Sequence, residues 1–220
     1  MRLLLVIVAW MFCAAELWAG AWPQPAGSGF SSTSVELGWP RDRAARDPAR
    51  PNGRYTSLFF EYGVTDRLTL GLDLGRDLAG RTKAVAFARL PLRRADTGPR
   101  VAVEMGLGKV GDDAVLRTGL SLGYGLANGW LAADLLADIG RNGLGSEAKL
   151  DLTWGRNLAH DRKLMLQLHA AKPALGDATL RVAPSLVTPL GGSLMLQTGL
   201  VYGLSGDETA GIRLGIWAKF

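Results

Sequence analysis

From Arg67 onward, the chain sorts its residues with a step of two. Leu68, Leu70, Leu72 and Leu74 fall on one side, while Arg67, Thr69, Gly71, Asp73 and Gly75 fall on the other. The pattern returns in Val101, Val103, Met105 and Leu107 against Glu104, Gly106 and Gly108, and again in Leu116, Thr118, Leu120, Leu122 and Tyr124 against Arg117, Gly119, Ser121 and Gly123. Leu131, Ala133, Leu135, Ala137 and Ile139 oppose Asp134 and Asp138, and Ala148, Leu150, Leu152 and Trp154 oppose Glu147, Lys149 and Asp151. Side chains alternate across a strand, whereas a helix places neighbours three and four residues apart on one face, so these segments are strands with one apolar side.

Turn-forming residues cut this body into twelve strands, near 29–39, 54–63, 67–76, 83–91, 100–109, 114–125, 129–139, 146–155, 163–171, 178–187, 193–203 and 210–220. The connectors are short and rich in Gly, Asp and Asn, apart from a long polar one between Pro40 and Gly53. Short connectors of this kind join antiparallel neighbours, which makes an up-and-down meander. In the fourth strand, Ala84, Ala86, Ala88 and Leu90 compete with Val85 and Phe87 for the apolar face.

Composition agrees with a β-rich fold. Of 220 residues, 48% are hydrophobic and 20% charged, which excludes long disorder, and 29 are glycine, too many for a helical bundle and without a collagen period. Several of these, Gly71, Gly75, Gly106, Gly108, Gly119, Gly123 and Gly215, share the charged face, where small residues leave room in a crowded interior. A soluble sandwich or lipocalin-like barrel would bury the apolar face, and a membrane barrel would expose it; period two alone is compatible with either. Aromatic placement favours the membrane. Trp39 and Tyr202 close strands at one end, and Phe60, Tyr62, Tyr124, Trp154 and Phe220 close them at the other, as two interfacial girdles would.

The N-terminus reads as a secretory signal peptide over residues 1–21. Met1-Arg2 precedes a 13-residue apolar run from Leu3 to Ala15, too short to cross a bilayer as a helix, and Ala19-Gly20-Ala21 supplies a small-x-small cleavage pattern that makes Trp22 the expected mature start. Cleavage after Ala19 is the alternative. The single cysteine, Cys13, lies within this segment, so residues 22–220 contain no disulfide and no cysteine-ligated metal.

The last residues, Ala210 to Phe220, place Ile212, Leu214, Ile216, Ala218 and Phe220 on one face and finish on an aromatic. This strand resembles the β-signal of bacterial outer-membrane β-barrel proteins, and Glu61-Tyr-Gly-Val-Thr-Asp-Arg-Leu-Thr-Leu-Gly71 resembles a strand-turn-strand common among them. The resemblance identifies no subfamily. It implies an all-β, transmembrane, up-and-down antiparallel β-barrel of about twelve strands over residues 22–220, located in the bacterial outer membrane. It further implies recognition of Ile212, Leu214, Ile216 and Phe220 by the barrel-assembly machinery. An even strand count puts both termini on the periplasmic side and the Pro40–Gly53 connector outside.

On this fold the alternation directs charge into the lumen. Arg117, Lys163, Arg181 and Arg213 are expected to face Asp134, Asp138 and Asp151, with acids concentrated on strands seven and eight and bases on nine to twelve. Opposed walls would set a transverse field in a water-filled pore, whereas close pairs would neutralise one another and fill it. Arg41, Arg43, Arg46 and Arg50 in the outer connector outnumber Asp42 and Asp47 and suit the phosphates of lipopolysaccharide, the lipid partner expected at that surface. The two histidines, His160 and His169, lack the serine arrangement that a resemblance to barrel lipid hydrolases would require. No cofactor, metal or nucleic-acid partner is indicated, since the basic residues are interleaved with acids and no ligand spacing occurs. The expected function is a narrow porin-like channel for passive passage of small hydrophilic solutes. A closed barrel with a structural or surface-interaction role is the alternative, and an integral lipid hydrolase the third reading.

Overall fold

A computed structural model describes residues 20–42, 47–93, 98–143 and 145–220. The strands are β1 (Gly29–Pro40), β2 (Gly53–Thr65), β3 (Leu68–Asp77), β4 (Thr82–Arg93), β5 (Pro99–Val110), β6 (Asp113–Leu126), β7 (Gly129–Gly140), β8 (Glu147–Asn157), β9 (Lys163–Pro173), β10 (Thr179–Gly191), β11 (Leu194–Ser205) and β12 (Thr209–Lys219). All twelve expected strands are present. The largest boundary shift is in β10, which runs to Gly191 rather than 187. Most of the expected signal peptide, residues 1–19, lies outside the described residues.

Each strand pairs antiparallel with its sequence neighbours, and β1 pairs with β12, so the sheet closes and has no free edge. Phe220 extends this seam past the last strand residue: Gly29 N–H donates to the Phe220 carbonyl at 2.6 Å, and Phe220 N–H donates back to Gly29 at 3.1 Å. Its ring stacks on Phe60, with centroids 5.7 Å apart. One end of the barrel carries both termini; the other carries the Pro40–Gly53 connector, called here the loop end.

The two faces are inverted relative to a soluble protein. Leu107 is 69% exposed, Leu200 59% and Leu214 51%, whereas Arg117 is 2% exposed, Glu61 1% and Asp138 4%. Exposed leucines and tyrosines surround the barrel in an apolar surface far beyond what a water-soluble monomer presents. Charges inside and leucines outside match a bilayer-spanning barrel, because lipid replaces water at the outer wall while the lumen supplies polar partners. Ile212, Leu214, Ile216 and Phe220 all lie on the exposed face.

The competition in β4 resolves inward for the larger residues. Val85 and Phe87 are buried, at 0% and 4% exposure, and Ala84 and Ala86 face out. Gly71 on β3 makes this arrangement fit, since a Cβ there would run into the Phe87 ring; Gly108 on β5 similarly admits β4 beside Val85. Phe87 also stacks on Phe59 of β2, with centroids 5.7 Å apart. The glycines of the inner face therefore make room for aromatic rings as well as for charge.

Candidate transport lumen

Cross-strand register builds the polar wall of the lumen. Arg117 on β6 stands directly opposite Asp138 on β7 and grips it with two bonds, Nε to Oδ1 at 2.7 Å and Nη2 to Oδ2 at 2.8 Å. Its third nitrogen, Nη1, donates to Asp73 Oδ2 at 2.7 Å, and Lys83 Nζ reaches the same oxygen at 2.7 Å. Nearer the termini end, Arg89 bridges Glu104, directly opposite on β5 at 2.7 Å, and Glu61 on β2. These charges tolerate burial because each guanidinium meets two carboxylates in bidentate or bridging geometry; one lost partner would leave an uncompensated charge.

Across the barrel, Glu36 on β1 holds two arginines. Arg213, opposite it on β12, donates Nη2 to Oε2 at 2.8 Å, and Arg181 donates Nη1 to Oε1 at 3.0 Å while also pairing with Asp207. The opposed walls expected from the sequence thus take a different form here. Arg117 meets Asp138 as anticipated, but Arg181 and Arg213 meet Glu36, which ring closure brings beside them, and Arg181 also meets Asp207 from the β11–β12 turn, rather than Asp134, Asp138 and Asp151. Lys163 sits at the termini end and donates to Asn157 Oδ1 at 3.1 Å.

Asp151 pairs instead with His169, directly opposite on β9, with His169 Nδ1 2.7 Å from Oδ1. Asp134 lies opposite Asp151 on β7, and its buried Oδ1 has no hydrogen-bond partner among the described residues. Both aspartates border a cavity of about 390 Å³ within the barrel, together with Glu36, Arg89, Gln167, Gln197 and Arg213. Tyr55 and Ser57 line it from β2. A space of this size, bounded by charged, amide and hydroxyl groups, accommodates a small hydrophilic solute with its hydration partly replaced by the wall.

The floor of this chamber, toward the termini end, is apolar. Phe30, Trp130, Met165 and Trp217 line it, and Trp130, Ala132, Met165 and Val187 form one buried cluster that includes Ala21 and Trp22 from ahead of β1. Gly155 on β8 provides the space for the Trp130 ring. Residues 22–28 precede the first alternating segment, and the alternation gives them no position. The signal they carry in the sequence is a large aromatic, Trp22, outside any alternating segment.

Among the other candidates, Arg41 folds back onto the barrel rim, where Nη1 donates to the Gly203 carbonyl at 3.0 Å and the guanidinium lies over the Tyr202 ring. Arg50 is exposed beside Asp47, at 3.9 Å. Arg43 and Arg46 lie outside the described residues. His160 occupies the β8–β9 turn with φ of 60°, and His169 faces the lumen rather than the lipid.

No family profile matches the chain, and no curated protein matches it in sequence. Solved structures do match in shape. The KdgM porin in complex with disordered oligogalacturonate superposes with a TM-score of 0.67 at 9% identity, covering 87% of this chain and 99% of that one. The COG4313 outer membrane channel from Pseudomonas putida F1 gives 0.61 at 13% identity, covering 93% and 100%. Outer membrane phospholipase A from Escherichia coli gives 0.50 at 14% identity, covering 90% and 95%. Closure, strand number, inverted faces and these similarities agree: the chain has the fold of the outer-membrane β-barrel proteins, in a twelve-stranded form.

Proposed function

We propose that the protein is a narrow, porin-like channel of the bacterial outer membrane, reached by signal-peptide-directed export, through which small hydrophilic solutes pass without chemical change. The observation that carries this reading is a chamber of about 390 Å³, lined by polar groups of the described residues, inside a barrel whose outer wall is apolar. A wall of ion pairs leaves polar groups facing the space, so a solute exchanges water for wall contacts as it moves. The similarity in fold to a porin and an outer membrane channel supports the same reading. In this reading the lumen acts by shape and charge; His169, bonded to Asp151, faces inward, away from lipid substrates.

At the outer surface, Arg41 and Arg50, with Arg43 and Arg46 beside them in sequence, form a basic connector suited to lipopolysaccharide phosphates. The exposed β12 face ending in Phe220 serves as the recognition strand for the assembly machinery. The channel reading is tested by solute uptake into liposomes containing the refolded protein, using a series of sugars of increasing size. Uptake that falls with sugar size supports a narrow pore. A folded, inserted protein that admits none of them points to a closed barrel.

A further inference from the structure

The residues ahead of β1 run into the barrel. Trp22 is 3% exposed and joins the apolar cluster of the floor; its ring occupies the space above Gly123 on β6, where any Cβ would collide with it, and the Arg100 guanidinium lies 5.8 Å from the ring centre. Gln24, 2% exposed, is held on the other side of the mouth, its N–H donating to Thr69 Oγ1 at 3.0 Å and its Nε2 to Glu61 Oε2 at 3.1 Å. The stretch therefore crosses the termini end from β2 and β3 to β6.

Its attachment is graded. Residues 26–28 are fixed to β2 by backbone bonds, with Gly27 N–H donating to the Gly63 carbonyl at 2.8 Å and Gly63 N–H to Ser28 at 2.9 Å. Gly63 must be glycine-sized there, because a Cβ would meet the Pro25 carbonyl. Residues 22–24 are held chiefly by side-chain burial and the two bonds of Gln24. Pro25 separates the firmly paired part from the part that fills the mouth.

We propose that residues 22–28 are a tethered plug that closes the lumen at its termini end, with Trp22 as the stopper, and that passage of solute requires Trp22 to leave its pocket. This rests on the channel reading above. Apolar burial of a ring is non-directional, so the stopper withdraws without breaking the ion pairs that hold the wall, and the anchor at residues 26–28 keeps it close enough to return. Glu61 ties the plug to the wall chemistry, since one carboxylate receives both Gln24 and Arg89.

The test is planar-bilayer recording of the refolded protein beginning at residue 22, compared with Trp22→Ala, with Gly123→Ala, and with deletion of residues 22–27. Heat-modifiable migration in gels confirms that each is folded. The expected result is a mostly closed parent channel with brief openings, and several-fold higher mean current with long openings in Trp22→Ala and in the deletion. Gly123→Ala, altered on the wall and not in the plug, is expected to reproduce that gain because its methyl group displaces the indole. Equal currents and open times in all four folded proteins would overturn the plug and leave the channel standing. A folded deletion variant that stays silent would overturn the channel reading itself.

Discussion

The two halves of the lumen are built on one strand pattern and are held in opposite ways. At the loop end, Asp73, Lys83, Arg117 and Asp138 on one side and Glu36, Arg181 and Arg213 on the other close charge against charge. At the termini end, Trp22 joins an apolar cluster with Trp130, Met165 and Val187, against which Trp217 packs, beside the wall that carries Glu61, Arg89 and Glu104. The first half is directional, and moving one group strands another. The second is cohesive but non-directional, so a ring can leave it without orphaning a charge. Alternation decides which residues face inward; residue type then decides which end of the lumen is fixed and which can open.

Substitutions at the two ends should therefore differ in kind. The largest effect is expected for Arg117→Met, which leaves Asp138 facing no cation and Asp73 with Lys83 alone; a loss of about 3–5 kcal/mol follows from breaking a buried ion pair, read as a lower denaturant midpoint for loss of heat-modifiable migration. Next is Leu135→Arg near the middle of β7, 49% exposed on the outer face, where a charge placed in lipid costs about 2–4 kcal/mol in the same assay. The same substitution would be nearly neutral on a water-facing wall, so its outcome separates the membrane reading from a soluble one.

At the termini end, Gly155→Val should cost about 1–3 kcal/mol through overpacking against the Trp130 ring, with the ion-paired half unaffected. Asp47→Ala, which removes an exposed pairing with Arg50 at 3.9 Å, should change stability by less than about 0.5 kcal/mol. Deleting Phe220 acts on assembly rather than on either half. Loss of its two backbone bonds to Gly29 and of its exposed ring should lower the amount of heat-modifiable barrel recovered from the membrane fraction.

Much of the architecture was legible because period two survives in almost every strand and glycine, aspartate and asparagine mark the turns. The orientation of β4 was not legible, since Val85 and Phe87 turn inward for a reason located on other strands, at Gly71 and Gly108. The partner of Arg117 follows from hairpin register between adjacent strands, which the tight β6–β7 turn fixes. The shared Glu36 partner of Arg181 and Arg213 depends on closure, which joins residues 145 and 177 positions apart in sequence. Trp22 and Gln24 belong to no periodic segment, and their partners Gly123, Thr69 and Glu61 lie on three different strands. Pattern within a segment carries local structure; it carries no information about what fills a lumen from outside the sheet.

Solutes that traverse the ion-paired lumen pass its wall charges, so reversal potential under a salt gradient reports on their path. In protein lacking residues 22–27, Glu36→Gln would leave Arg181 and Arg213 without the carboxylate they share, and the reversal potential should shift toward anion preference relative to the same deletion carrying Glu36. An unchanged reversal potential in a folded, conducting variant would place the current path elsewhere than the ion-paired lumen.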